Sequence, residues 1–334
     1  MKLTDIYNTL EHFTKDNIPL FIWGPPGIGK SSVVKQIAND YKLKFIDLRL
    51  SLLDPTDLKG IPFFDQENNQ AVWAAPNFLP KDKNSSGILF LDEINTAPPS
   101  VQASAYQLIL DRKVGDYSLP DGWSIVAAGN RENDRGVTYR MPPPLANRFV
   151  HLEMEVDFED WKFWAYKSGI DASIIGFLNF DKEKLFAFDP NSNEKSFPTP
   201  RSWEYVDKIL KSKLSQKLLL ESISGTIGKD TAIEFMSFRK VMDKLPDIEK
   251  IATGEIKKVE DDDHKILFAL SSGLINHLKE SNEKEKIENV LLFSMELPSE
   301  FSIMLIKDMQ KNAIKVENAP SWEIWVRKFS YLLS

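Results

Sequence analysis

Residues 19–31 read PLFIWGPPGIGKS, and this stretch decides the fold of the chain around it. The apolar run 19–23 predicts a buried strand, and residues 32–40 predict a helix. Between them, residues 24–31 fit the phosphate-loop pattern G-x-x-x-x-G-K-[ST] at every fixed position. A strand, a glycine-rich turn and a helix together form the setting in which this pattern binds the phosphates of a nucleotide.

Each part of the loop has a physical task. Glycines let the backbone curl so that its N–H groups converge on a polyphosphate, and the helix start adds partial positive charge. Lys30 is expected to reach the β- and γ-phosphates, and the Ser31 hydroxyl is a suitable ligand for Mg²⁺. The residues predicted to hold the nucleotide are Gly24, Pro25, Pro26, Gly27, Ile28, Gly29, Lys30, Ser31 and Ser32.

The composition excludes several other kinds of chemistry. The chain has no cysteine, which excludes disulfides, cysteine–zinc sites and thiol catalysis. Its four histidines show no metal-ligand spacing. Residues 1–155 carry 16 Lys and Arg against 19 Asp and Glu, and residues 156–334 carry 26 against 30, so neither half favours broad duplex binding. With no secretory pattern and no long apolar run, we expect a cytoplasmic protein.

A second chemical motif lies in residues 87–93, GILFLDE. Its apolar run predicts a strand that is buried on both faces and ends in two acids. In an open α/β sheet, ligands bind at the carboxyl ends of the strands. Asp92 is therefore predicted to share the Mg²⁺ with Ser31, while Glu93 polarises the attacking water. Hydrolysis needs separate carboxylates for these tasks, because a metal-bound carboxylate is a poor base.

The order of elements around these motifs predicts a parallel α/β sheet flanked by helices. Residues 45–48, 124–128 and 150–154 predict further strands, and two short hairpins are expected near residues 63–73 and 112–123. From about residue 158 the pattern becomes helical, with a helical region over residues 159–180 and a charge-rich stretch over 249–263 that is predicted to be solvated. The sequence therefore predicts three parts: a nucleotide-binding domain over residues 1–156, a helical lid over 157–250, and a helical C-terminal extension over 251–334.

Over residues 19–205 the chain resembles the AAA+ ATPases, and specifically their MoxR-like branch in the helix-2-insert clade. GPPGIGKS is similar to Walker A, and LFLDEIN is similar to Walker B. By the same resemblance, AAGN makes Asn130 the sensor 1 residue that orients water. PLANRF makes Arg148 the arginine finger directed at a neighbouring subunit, and FPTPRSW makes Arg201 the sensor 2 residue at the start of the lid helix.

The resemblance implies an ATP hydrolase that needs ATP and Mg²⁺. It also implies a homo-oligomeric ring, expected to be a hexamer, that remodels or matures a protein client. MoxR-like ATPases often work with a von Willebrand factor A-domain protein, which is thus an expected partner. Beyond residue 205 the resemblance rests on helical content and on LPSEF at 297–301.

The residues leave several alternatives open. Arg131, Arg135 and Arg140 compete with Arg148 for the role of arginine finger, and Arg201 could act on its own or on a neighbour's nucleotide. An AAA+ motor acting on DNA is the main alternative function, although the acidic chain argues against it. A nucleotide-gated scaffold with little turnover is a further alternative, against which Glu93 and Asn130 argue. A small-molecule kinase is another, and the Asp92–Glu93 pair, Arg148 and the helical tail suit it poorly.

Overall fold

A computed structural model shows the fold and describes residues 1–131, 134, 138–242, 244–259, 263–281, 283–329 and 331. The chain forms two compact units, Met1–Asp157 and Phe158–Ser334. The first unit is an α/β domain, as the sequence predicts. In chain order its elements are α1 (Leu3–Lys15), β1 (Leu20–Trp23), α2 (Lys30–Asp40), β2 (Lys44–Arg49), α3 (Pro55–Lys59), β3 (Ile61–Asp65), β4 (Gln70–Ala74), β5 (Gly87–Asp92), α4 (Pro99–Asp111), β6 (Lys113–Val114), β7 (Tyr117–Ser118), β8 (Trp123–Gly129), α5 (Pro143–Ala146) and β9 (Val150–Glu153).

Five parallel strands form the central sheet of the first unit, in the order β2-β5-β8-β1-β9. The middle strands are apolar because helices cover them: every residue of β8 is buried, as is every residue of β5 before Asp92. The predicted parallel sheet is confirmed. Its strand order brings β1, β8 and β5 side by side, although long stretches of sequence separate them.

Two antiparallel hairpins stand apart from the sheet, and both were predicted. The first pairs β3 with β4, and the second pairs β6 with β7. The turn of the second hairpin contacts the first, because a Cβ on Gly115 would lie 3.2 Å from the Cβ of Trp73. On the first hairpin Ile61, Phe63 and Phe64 are exposed. The paired hairpins therefore carry apolar side chains on the surface of the first unit.

The second unit is helical. Its helices α7 and α12 approach closely, since a Cβ on Gly176 would lie 3.0 Å from the Cα of Ala269. The rings of Phe177, Trp203 and Phe235 pack at its centre. Its helices are α6 (Phe158–Lys167), α7 (Ala172–Phe180), α8 (Pro200–Leu210), α9 (Gln216–Ile227), α10 (Lys229–Met242), α11 (Ile248–Ala252), α12 (His264–Ser281), α13 (Lys284–Ser294), α14 (Ser299–Lys311) and α15 (Trp322–Phe329).

The second unit differs from the sequence expectation in two places. The stretch 159–180, predicted as one helical region, is two helices, because Gly169 adopts a left-handed φ of 68° and the Asp171 carboxylate caps α7 by accepting from the N–H of Ser173. The stretch 249–263, predicted to be solvated, begins inside α11, whose Ile251 is buried. The predicted division at residue 250 stays a prediction; α12, which lies beyond it, packs against α7 and α10.

In the part of the chain that the structure describes, no helix combines the length and apolar character needed to cross a membrane.

Candidate nucleotide site

The carboxyl ends of three neighbouring strands bring the predicted motifs together. β8 lies between β5 and β1, so Asn130, which follows β8, lies between the phosphate loop and the acid pair. The register places Trp23 beside Gly129 and Leu91 beside Ala127. The Gly24 N–H donates to the Gly129 carbonyl at 3.3 Å, which joins the start of the loop to the end of β8.

The phosphate loop ends in a left-handed residue that starts the helix. Gly29 has a φ of 100° and precedes α2, and a side chain there would be strained although there is open space around it. α2 begins at Lys30, so Ser31 and Ser32 lie in its first turn. First-turn N–H groups have no partner within their helix, so they are available to an anion.

The ammonium group of Lys30 ties the loop to Asn130. Its Nζ donates to the carbonyl oxygens of Gly24 and Pro25 at 2.6 and 2.9 Å, and to the Oδ1 of Asn130 at 3.0 Å. These acceptors are neutral oxygens. Charged phosphate oxygens form stronger bonds with an ammonium, so a nucleotide would compete for these same protons.

Asn95 fixes the backbone at Asn130, and the sequence did not indicate it. Its side chain donates from Nδ2 to the backbone carbonyl of Asn130 at 2.7 Å, and the backbone carbonyl of Asn95 accepts from the N–H of Tyr139 at 2.6 Å. Asn95 is almost completely buried, with 2% of its surface exposed. The only sequence signal is its place two residues after the acid pair.

The acid pair lies where β5 ends. Glu93 adopts a left-handed φ of 56°, which is rare for a residue other than glycine and is a form of strain that concentrates at functional sites. Its N–H donates to Oδ1 of Asp92 at 3.0 Å, and its carboxylate accepts a short hydrogen bond from the hydroxyl of Ser51. Ser51, a second residue the sequence did not indicate, therefore orients the Glu93 carboxylate.

Negative charge is concentrated beside the loop. Burial raises the pKa of Asp92 above its ordinary value, and the charge of Asp47 raises it further. Burial also raises the pKa of Asp47 itself, and the carboxylate of Glu93 adds to that rise while Arg49 opposes it. Burial and the repulsion between neighbouring acids therefore oppose the ionised form of these carboxylates. A cation bound nearby would stabilise the ionised form. Hard carboxylate and hydroxyl oxygens are suitable ligands for Mg²⁺.

Arg148 lies at the other end of the sheet from the phosphate loop of its own chain. β9 runs parallel to β1, with Val150 beside Leu20 and Glu153 beside Trp23. Arg148 precedes the start of β9 and is exposed. Because a strand rises about 3.3 Å per residue, roughly 10 Å of strand separates Arg148 from the end near the loop. Within one chain, the structure does not bring Arg148 to the nucleotide site.

The competing arginines lie elsewhere. Arg131 donates from Nε to the carboxylate of Glu153 at 2.8 Å and from Nη2 to the carbonyl of Met154 at 3.3 Å, at the end of β9 that is nearer the loop. Arg140 is exposed. Arg135 lies outside the described residues.

Arg201 lies in the first turn of α8, in the second unit, and is exposed. The turn is rigid, because Thr199 and Ser202 form a capping box. The N–H of Ser202 donates to the Thr199 hydroxyl at 3.0 Å, and the Thr199 N–H donates to the Ser202 hydroxyl at 2.7 Å. The sensor role of Arg201 stays a prediction.

Residues 19–151 match the model of a protein family described as "ATPase family associated with various cellular activities (AAA)". The matched segment begins just before the strand of the phosphate loop and ends within β9, so it contains β1, β2, β5, β8 and the first half of β9. The chain therefore contains a segment that matches the AAA ATPase family, and this match indicates an ATP hydrolase.

No curated protein matches the sequence. Among solved structures, the chain is similar to RuvB of Thermotoga maritima, a Holliday junction branch migration motor, with 18% identity, a TM-score of 0.39, and coverage of 81% of this chain and 80% of that one. It is also similar to NtrX from Brucella abortus in complex with ADP, with 14% identity, a TM-score of 0.41, and coverage of 98% and 68%. Likeness at this level says nothing about what the AAA domain acts on.

Proposed function

We propose that this chain is a MoxR-like ATPase that hydrolyses ATP with Mg²⁺ in a ring-shaped oligomer and uses the cycle to remodel or mature a protein client. The observation that carries the catalytic part is the contact between Lys30 and Asn130, beside an acid pair whose Glu93 is held by Ser51. A site that only bound nucleotide would not need a carboxylate held in a strained backbone conformation and oriented by a second side chain.

The residues divide the chemistry between them. The loop N–H groups and Lys30 hold the phosphates, and Asn130 orients the attacking water with its amide. Glu93 accepts a proton from that water as its oxygen bonds to the γ-phosphorus, and the bond from the γ-phosphorus to the β–γ bridging oxygen breaks to release ADP and phosphate. Asp92 and Ser31 would hold the Mg²⁺, which neutralises charge on the phosphate oxygens. Among the described residues, no cluster of three or more His, Asp or Glu side chains is placed to hold a metal ion.

The position of Arg148 supports a role in a neighbouring subunit. It is exposed at the end of the sheet that is farther from its own loop, whereas Arg131 is already paired with Glu153 near the loop. An arginine supplied to a γ-phosphate from outside accelerates hydrolysis by about 10³–10⁵-fold in related chemistry. Every subunit receives such an arginine only when the subunits close into a ring, which the resemblance suggests is a hexamer, with Arg201 acting from the lid.

The paired hairpins support a protein client. Ile61, Phe63 and Phe64 expose 68%, 52% and 61% of their surface, and Trp73 exposes 41%. Exposed apolar groups placed together are typical of surfaces that contact other proteins. A von Willebrand factor A-domain protein is the partner that the MoxR-like resemblance suggests.

The substitution Glu93→Gln tests the catalytic assignment. The variant keeps the side-chain size but cannot accept the proton of water, so we expect ATP to bind normally and hydrolysis to fall at least ~100-fold. Single-turnover hydrolysis and nucleotide affinity are the two measurements. Glu323→Gln, at an exposed position on α15, is the matched control and should hydrolyse ATP like the wild type. Turnover like the wild type in Glu93→Gln would refute the mechanism.

Mixed rings test the role of Arg148. Arg148→Ala subunits should bind ATP but lack turnover, and Lys30→Ala subunits should lack a working loop. If the arginine acts across an interface, mixing the two restores part of the activity, because some interfaces receive an intact loop from one subunit and an intact arginine from the other. Absence of restoration at every mixing ratio would refute the role in a neighbouring subunit.

The client can be sought with the same reagent. Glu93→Gln in the presence of ATP should hold its client longer, so proteins that are retained with it and released by ADP are the candidates. Stimulation of hydrolysis by DNA, with a steep salt dependence, would instead favour the DNA motor.

A further inference from the structure

His151 joins two segments that the proposed function uses separately. It lies in β9, the edge strand of the sheet. The indole N–H of Trp23 donates to its Nδ1 at 2.8 Å, and its Nε2 lies 2.8 Å from the carbonyl oxygen of Ala146. Because Nδ1 accepts a hydrogen bond, the proton lies on Nε2, which donates to Ala146.

The two partners of His151 occupy informative positions in the chain. Trp23 is the last residue of β1 and directly precedes Gly24 of the phosphate loop. Ala146 is the last residue of α5 and lies two positions before Arg148. The imidazole therefore bridges the strand that carries the loop and the turn that carries the proposed arginine finger.

Aromatic rings pack against the imidazole of this bridge, although His151 itself is exposed. The His151 ring is nearly parallel to that of Trp23, with an interplanar angle of 21° and centroids 5.9 Å apart, and it also contacts the rings of Phe21 and Phe149. The N–H of Phe149 donates to the Ala146 carbonyl at 3.1 Å, so that carbonyl is held from two sides. A phenylalanine ring at this position would supply the stacking but not the two hydrogen bonds.

We propose that His151 is a positioning residue for Arg148, which couples the phosphate loop of a subunit to the arginine that the same subunit presents to its neighbour. The inference rests on the proposed role of Arg148 across a subunit interface. His151 does not contact the nucleotide; it acts by fixing the turn after α5 relative to β1. A change at one nucleotide site would then reach the next site through a single side chain.

The test uses the substitution His151→Phe, which keeps an aromatic ring and removes both hydrogen bonds. Misplacement of a catalytic group by about 1 Å can lower turnover ~100-fold, so we expect kcat to fall roughly 10- to 100-fold while ATP affinity stays within about twofold. His151→Gln can accept and donate through its amide and should recover part of the loss. His264→Phe, on an exposed histidine of α12, is the matched control.

Mixed rings separate a positioning role from a merely structural one. His151→Phe subunits have an intact loop but a misplaced arginine. Mixing them with Lys30→Ala subunits should therefore restore ATP hydrolysis to the same extent as mixing Arg148→Ala subunits with Lys30→Ala subunits. Restoration of Arg148→Ala without restoration of His151→Phe would overturn this inference and leave the proposed function standing. If Arg148→Ala itself is not restored, the proposed role of Arg148 fails, and the inference fails with it.

A second variant tests the same hydrogen bond if His151→Phe does not fold. Trp23→Phe removes the indole donor and keeps a ring beside Phe21, so it should lower kcat in the same way and be restored by the same Lys30→Ala subunits. In a double variant with His151→Phe, the two losses should not add, because His151→Phe already lacks the hydrogen bond that Trp23→Phe removes. Fully additive losses, or wild-type kcat in Trp23→Phe, would overturn the inference.

Discussion

The glycine at the end of β8 gives the sharpest test of how the nucleotide site is built. A Cβ added at Gly129 would lie 2.3 Å from Oδ1 of Asn95 and 2.8 Å from Cζ of Phe21, both far inside van der Waals contact. Asn95 is buried and donates to the Asn130 carbonyl, so it cannot move away without breaking that hydrogen bond. Gly129→Ala should therefore disturb Asn130, although it is one residue away and changes only one methyl group.

The magnitude follows from two effects. Overpacking a core by one methyl typically costs about 1–3 kcal/mol. Displacing Asn95 also leaves the Asn130 carbonyl without its donor, which costs about 1–3 kcal/mol. We therefore expect Gly129→Ala to destabilise the first unit by about 2–6 kcal/mol. In an Asn95→Ala background the clash with Oδ1 disappears, so there the same substitution should cost at least about 1 kcal/mol less.

Native-state hydrogen exchange, read by mass spectrometry on peptides of β1, β5 and β8, measures the stability of the first unit separately from that of the second. Gly225→Ala is the control, because it lies within α9, has no neighbour within 4 Å of its added Cβ, and should be neutral or stabilise α9 by up to ~1 kcal/mol. Additive effects of Gly129→Ala and Asn95→Ala, to within about 0.5 kcal/mol, would refute the proposed contact.

Two further predictions concern stability. Burial raises the pKa of Tyr117 from 10.0 to about 12, so its contribution is present below pH 10 and is lost as the pH rises toward 12. Tyr117→Phe should lose about 1 kcal/mol at pH 7, where the hydroxyl donates to the Pro80 carbonyl at 2.8 Å, and this deficit should shrink in unfolding measurements between pH 10 and 12. Asp308→Asn removes the negative charge that lies 2.8 Å from the buried Lys162 ammonium. It should cost about 2–4 kcal/mol, somewhat below the usual range, because Glu159 lies 3.3 Å from the same ammonium. The stability of the double variant Lys162→Met with Asp308→Leu should lie within about 2 kcal/mol of that of the wild type, as measured by hydrogen exchange in α6 and α14. If the double variant loses as much stability as Asp308→Asn alone, the pairing is contradicted.

Much of the site was accessible from the sequence because its parts are local. The strand, loop and helix around Lys30 follow one another without interruption, so pattern and periodicity were sufficient to predict them. The same is true of β5 and its two acids. The predicted parallel sheet followed from the alternation of strands and helices. The helical second half was predicted in outline, but the break before α7 depends on a glycine and a capping aspartate that the apolar pattern concealed.

The sequence by itself therefore determined that this chain holds a phosphate-binding loop in an α/β domain, with acids at the end of another buried strand. Only the tertiary structure decided which polar groups complete that site. Asn95 reaches Asn130, Ser51 reaches Glu93, and His151 reaches Trp23, and each pair is separated in sequence by at least 35 residues. These pairings depend on the order in which β2, β5, β8, β1 and β9 associate. That order is set by packing of the whole sheet, which is non-local and leaves no mark within any single stretch of sequence.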